Sequence, residues 1–196
     1  MSALDDIAWL FNLRGNDIPY NPVFLAHALV GRDTARLFVD ASKLDALLCT
    51  ALQAEGVRIE PYEAIAGALA GLSETERLLF DPARTTVGLL NRADRVEKLE
   101  DVNPAHLLKA HKNAGELANV RRTMEQDGAA LCEFFAWFEA AQGRERITEL
   151  TIDERITAAR ARRPGFVSPS FGTIAAWQAN GAMPHYHATE AAHAVI

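Results

Sequence analysis

The sequence predicts an α/β (α+β) protein built in two pieces. Two observations carry that reading. Up to Asn103-Pro104, short apolar runs alternate with segments of helical period. Beyond it, one long apolar stripe at steps of three and four is followed by a second helix and an Asn-Gly turn between extended stretches. The composition, 49% hydrophobic and 23% charged, supplies a core and excludes a disordered chain. A net charge of −6 argues against nucleic acid as the main partner. No uncharged apolar run is long enough to span a bilayer, and the acidic start, with Asp5 and Asp6, does not resemble a secretory signal. The expectation is a soluble cytoplasmic protein.

Taken in order, 5–12 reads as a short helix with Ile7, Trp9, Leu10 and Phe11 on its apolar side. Pro19 and Pro22 keep the chain extended. The dense apolar run 23–30 reads as a buried strand and 35–40 as its neighbour; the short Gly-Arg-Asp connection predicts an antiparallel hairpin. Ser42 reads as the N-cap of a helix that Gly56 stops. A strand over 57–61, a helix over 62–72, a strand over 77–80, a short helix over 86–91 and a strand over 96–99 complete the first piece. Residues 107–113 read as a connector.

In the second piece, Leu117, Val120, Met124, Gly128, Leu131, Phe135 and Phe138 form one stripe of a long helix, and Gly128 on it suggests close approach to a neighbour. Gly143 ends that helix. Thr148 is an N-cap candidate, but the next helix, within 149–163, is expected to begin near Thr151-Ile-Asp153. Arg160, Arg162 and Arg163 at its end read as a solvated face that complements the helix dipole. Cys49 and Cys132 read as small buried hydrophobes rather than a disulfide. Asp5, Asp6 and Asp127 read as helix-start and helix-surface charges, and the aromatic residues as core. Finally, 170–177 and 183–187 read as strands of a hairpin about Asn180-Gly181. Two histidines two residues apart on a strand, His185 and His187, then share a face. With Glu190 and His193 they invite a mononuclear metal reading, against which stands a plain chain end with incidental histidines. There is no nucleophile elbow, phosphate loop or internal repeat.

Three stretches together resemble the aminopeptidase P (Xaa-Pro aminopeptidase) family: Leu4-Asp-Asp-Ile-Ala-Trp-Leu-Phe-Asn-Leu-Arg-Gly15 with Asn21-Pro-Val-Phe24; Lys112-Asn113, Arg121-Arg122 and Asp127 through Trp137; and Phe166-Val-Ser-Pro-Ser-Phe171 with Asn180-Gly-Ala-Met-Pro-His-Tyr186. The resemblance implies a creatinase N-terminal-like mixed-sheet domain over residues 1–110, incomplete at its start. It implies the opening of a pita-bread catalytic domain over 111–196, with a long helix, a second helix and a β-hairpin. The implied activity is removal of an N-terminal residue when proline follows it, using two divalent metal ions, commonly manganese. By motif, His185 is the residue that contacts the substrate near the scissile bond. The resemblance places all five metal ligands beyond Ile196, so the expectation is no metal site, no cofactor and no complete catalytic set in this chain, and an inactive segment. The alternative is a non-catalytic peptide- or protein-binding module of the same fold. Gly172, Trp177 and Gln178-Ala179 depart from the family pattern. An exposed hairpin edge would favour pairing with another chain, a homodimer included.

Overall fold

The computed structural model describes residues 1–196, which form two compact units, Met1–His111 and Lys112–Ile196.

In the first unit, α1 (Leu4–Leu10) precedes β1 (Ala26–Val30) and β2 (Ala35–Val39), which pair antiparallel as the short connection predicts. α2 (Ala46–Ala54) carries the chain over to β3 (Val57–Glu60), which lies parallel to β2. A crossover helix is what a parallel neighbour requires. α3 (Ile65–Ala70) leads to β4 (Arg77–Phe80), which pairs parallel with β5 (Glu97–Glu100) across α4 (Val87–Leu90). The result is a three-stranded sheet in the order β1-β2-β3 and a separate two-stranded one. α5 (Pro104–Ala110) closes the unit.

The alternation of side chains along the strands splits the core in two. Ala26, Ala28, Leu37 and Val39 join Ile7 and Ala8 of α1 and Leu52 of α2 in one buried cluster. Phe38 points the other way and meets Ile65, Leu69 and Val96. Leu37 and Phe38, adjacent in sequence, are thus both wholly buried, on opposite faces. Each such burial contributes about 1.5–3 kcal/mol. Arg36 ties β2 to β3 through both guanidinium arms, 2.6 and 2.9 Å from Glu60.

Several expectations for this unit need correction. The cap of α2 is Asp45, whose carboxylate accepts the Leu48 N–H at 2.7 Å, while Ser42 sits in a preceding 3-10 turn capped by Asp40. Residues 104–110 are a helix and not a connector, because Asn103 caps it and Pro104 fills the first turn, where no N–H is needed. Asp6 is no surface charge. It is fully buried, 2.8 Å from Lys109 of α5, with Asn103 donating to it at 3.4 Å. Pairing offsets the cost of burying that carboxylate.

The second unit contains α6 (Ala114–Ala141), opened by a reciprocal capping box between Asn113 and Glu116, and α7 (Glu149–Ala161). The covered stripe of α6 is not the predicted one. Ala130, Phe134 and Ala141 are buried, whereas Val120, Met124 and Phe135 are more than half exposed. One partner helix covers one stripe, and α7 packs along the Ala130–Phe134 side, where Arg160 also reaches Asp127 at 2.7 Å. A Cβ at Gly128 would meet nothing, so that glycine marks no close approach. The arginines at the end of α7 are ion-paired: Arg160 with Asp127, and Arg162 and Arg163 with Glu133. Cys132 is exposed and Cys49 half-buried; both are free thiols.

The predicted hairpin does not form. After α7 the chain runs extended with no ladder partner, turns through a 3-10 segment at Gln178–Ala182, and makes only single bridges, such as Thr148 with Val195. Asn180-Gly181, read as a hairpin turn, lies inside that 3-10 segment. A lone two-stranded hairpin is marginal in water, and here a side chain takes the backbone bonds instead.

Candidate functional site

That side chain is Glu149. It stands at the first position of α7, where the helix N-terminus favours a negative charge. Thr148, not Thr151, is the cap, accepting the Thr151 N–H at 3.1 Å. The Glu149 carboxylate is fully buried and accepts from four directions. Oε1 takes the Trp177 N–H at 2.6 Å, and Oε2 takes the Ala194 N–H at 2.7 Å and the Tyr186 hydroxyl at 2.7 Å. The Asn180 amide bridges both oxygens at 3.0 and 3.1 Å and also donates to the Tyr186 oxygen at 3.1 Å. Burial opposes ionisation of Glu149. The Ala194 N–H, the Asn180 amide, the Trp177 N–H and the Tyr186 hydroxyl outweigh it and hold the carboxyl at about 2. The same bond to the carboxylate raises the pKa of Tyr186. The bridge is closed by the Glu149 N–H donating to Ala194 at 3.1 Å and the Ile196 N–H to Ile147 at 2.9 Å.

His185 lies between two residues of this network, Asn180 and Tyr186. Its ring is exposed and its φ is 58°, in the left-handed region that few non-glycine residues enter. Gln178, at the other end of the same turn, also has a positive φ of 49°. With no strand here, His185 and His187 do not share a strand face. His193 bonds back to the Thr189 carbonyl at 2.9 Å. No three His, Cys, Asp or Glu side chains converge as a group that could hold a metal ion. Beside this segment, a groove of about 550 Å³ runs between α6, α7 and residues 164–174, lined by Met124, Phe134, Ile156, Phe166, Phe171 and the Arg160–Asp127 pair among others. His185 does not line it. Sequence reasoning missed Glu149, since one glutamate after a threonine at a helix start looks like ordinary dipole complementarity.

Residues 1–116 match the Creatinase/Prolidase N-terminal domain, and residues 118–194 match metallopeptidase family M24. The chain belongs to the aminopeptidase P (Xaa-Pro aminopeptidase) family. Among its relatives, Xaa-Pro aminopeptidase 1 of Dictyostelium discoideum is 37% identical over all of this chain and 32% of its own length. A probable Xaa-Pro aminopeptidase P of Pyricularia oryzae is 40% identical, with 34% of its length covered. The chain therefore spans about a third of the length of the curated relatives it matches. In structure it is similar to the X-prolyl aminopeptidase of Caenorhabditis elegans, described as a cytosolic enzyme with a di-nuclear active site. The TM-score is 0.81 at 28% identity, over 86% of this chain and 28% of that one. No helix here is long and apolar enough to cross a membrane.

Proposed function

We propose that these residues are the middle domain and the opening of the catalytic domain of an Xaa-Pro aminopeptidase, which releases an N-terminal residue when proline follows it. The observation that carries this reading is the double match, one domain model after the other in family order, with 37% identity to a relative along the whole chain. In this reading the whole enzyme works in the cytoplasm with two divalent metal ions, manganese by preference. Its substrate is a peptide with proline second.

His185 is the residue of this chain that we place against the substrate. Its support is local. The turn that carries it is pinned on both sides through Asn180 and Tyr186 to one buried carboxylate, and its backbone is held in an unfavourable region. Such outliers gather at functional sites. An exposed imidazole on a fixed turn can donate to or accept from a peptide carbonyl or amide.

On its own the chain is inactive in this reading, because hydrolysis needs an ion-activated nucleophile and no ligand cluster here would hold the ions. Incubation with Arg-Pro-Pro and manganese is expected to release no arginine; robust turnover would overturn the inactive-segment reading. Titration of the same peptide, followed by the imidazole resonances, is expected to move His185 and to spare His185→Ala chains. Binding that ignores the proline would favour the non-catalytic module instead.

A further inference from the structure

Two carboxylates of this chain, those of Asp6 and Glu149, are fully buried, and they are held in different ways. Asp6 faces a cation, Lys109, at 2.8 Å, as a structural ion pair does. The four groups that bond Glu149 are all uncharged: two backbone N–H groups, the Asn180 amide and the Tyr186 hydroxyl. Burying a charge is costly where no counter-ion meets it, so packing alone gives no reason for a carboxylate here. What the carboxylate adds is direction, since bonds to an ionised acceptor are short and strong.

Those bonds close a loop. An ionised carboxylate can only accept. The Tyr186 hydroxyl therefore gives its one hydrogen to Oε2 at 2.7 Å, and its oxygen is left to accept from the Asn180 amide at 3.1 Å. Asn180, Glu149 and Tyr186 thus form a triangle in which each bonds the other two. The side chains at both ends of the stretch 180–186 are joined to each other and to the first residue of α7. His185 is the last residue inside that loop, directly before its second anchor.

The backbone inside the loop is not one that a free histidine would adopt. His185 has a φ of 58°. A non-glycine residue keeps such a conformation only where its surroundings over-determine it. The two anchors supply that constraint, because a short stretch tied at both ends has few backbone paths left. On the other side of Asn180, Gln178 with its φ of 49° lies next to Trp177, whose N–H is held by Oε1 at 2.6 Å. Both left-handed residues therefore adjoin groups that the same carboxylate fixes.

We propose that Glu149 is a positioning residue of the substrate site: through Asn180 and Tyr186 it compels the left-handed backbone at His185, and so fixes where the imidazole meets the peptide. The substrate half of this rests on the reading of His185 given above; the backbone half does not.

Nuclear magnetic resonance of the full chain tests both halves. A positive φ brings a residue's own amide and α protons to their closest approach, and the strong Overhauser effect between them is absent at negative φ. His185 is expected to show it. Tyr186→Phe keeps the ring and removes one anchor, and should weaken the effect. Tyr186→Phe combined with Asn180→Ala should abolish it, while amide exchange at Ile156 of α7 stays unchanged. The Arg-Pro-Pro concentration that half-saturates the shift of the peptide resonances should rise roughly tenfold in Tyr186→Phe. A full Overhauser effect at His185 in the double variant would overturn the proposal, whatever the peptide does. If His185→Ala weakens peptide binding and Tyr186→Phe does not, the reading of His185 stands and the positioning role is overturned. If His185→Ala binds Arg-Pro-Pro as tightly as the unaltered chain, the reading of His185 itself fails, and the substrate half falls with it.

Discussion

In the first unit β2 is packed by apolar side chains on both faces; in the second, Trp177, Asn180, Tyr186 and Ala194 converge on one carboxylate. Phe38, Leu37 and Ile7 each contribute one share to a core that spreads its stabilisation over many contacts. Glu149 is not replaceable. Two backbone N–H groups, an amide and a phenol all converge on two oxygens. A core loses stability in proportion to what is removed, whereas a polar hub loses its whole set of partners at once.

The largest effect expected from this contrast is Glu149→Ala. It leaves the Trp177 and Ala194 N–H groups and the Asn180 amide without their acceptor. Amide exchange at Trp177 and Ala194 should lose nearly all protection, while Leu37 and Val39 keep theirs. Retained protection at Trp177 would show that the segment is held by packing after all. Leu37→Ala should act in the opposite place, costing about 2–5 kcal/mol in urea unfolding of the first unit, with Trp177 exchange unchanged.

Acidity sharpens the comparison. The carboxyl of Glu149 is lowered from 4.5 to about 2 in the folded chain. A depressed carboxyl contributes stability that is complete above its unfolded value and is lost as pH falls through the folded one. The order of residues 177–194 should therefore survive at pH 4 and fail as pH approaches about 2. Trp177 fluorescence against pH checks this. In Glu149→Gln the transition near pH 2 should vanish, and loss of order near pH 4.5 in the unaltered chain would contradict the hub.

The two units also differed in how far their sequence could be read. Alternating and periodic apolar patterns located β1, β2, β4, α1 and α6 because burial itself writes those patterns. Around His185 the conformation does not follow from the local motif, since Gln178–Ala182 is a 3-10 segment and not a hairpin turn. Asn180-Gly181 suits a hairpin, and nothing in the local residues reveals that Glu149, thirty-one positions earlier, draws off the Asn180 amide. Asp6 was misread for the same reason: its partner Lys109 lies a hundred residues away. The stripe on α6 failed differently. Two apolar faces were present, and only the arrival of α7 decided which one is covered. Long-range polar pairings have no period, so one chain read alone does not disclose them.

The smallest predicted effect separates a polar hub from a mere polar contact. Asp127 and Arg160 join α6 to α7 through two bonds, 2.7 and 3.4 Å long, and look as specific as anything around Glu149. Yet both side chains keep close to a third of their surface in water, 28% and 30%, so solvent already screens most of their attraction. Asp127→Asn should cost only about 0.2–1 kcal/mol, and the difference should shrink further in 1 M salt, where the screening length is about 3 Å. Urea unfolding of both chains at low and high salt measures it. A cost that stays above this range and ignores salt would mean that the pair acts as Glu149 does, as a dry hub, and that helix packing in the second unit is set by charge rather than by Phe134 and Ile156.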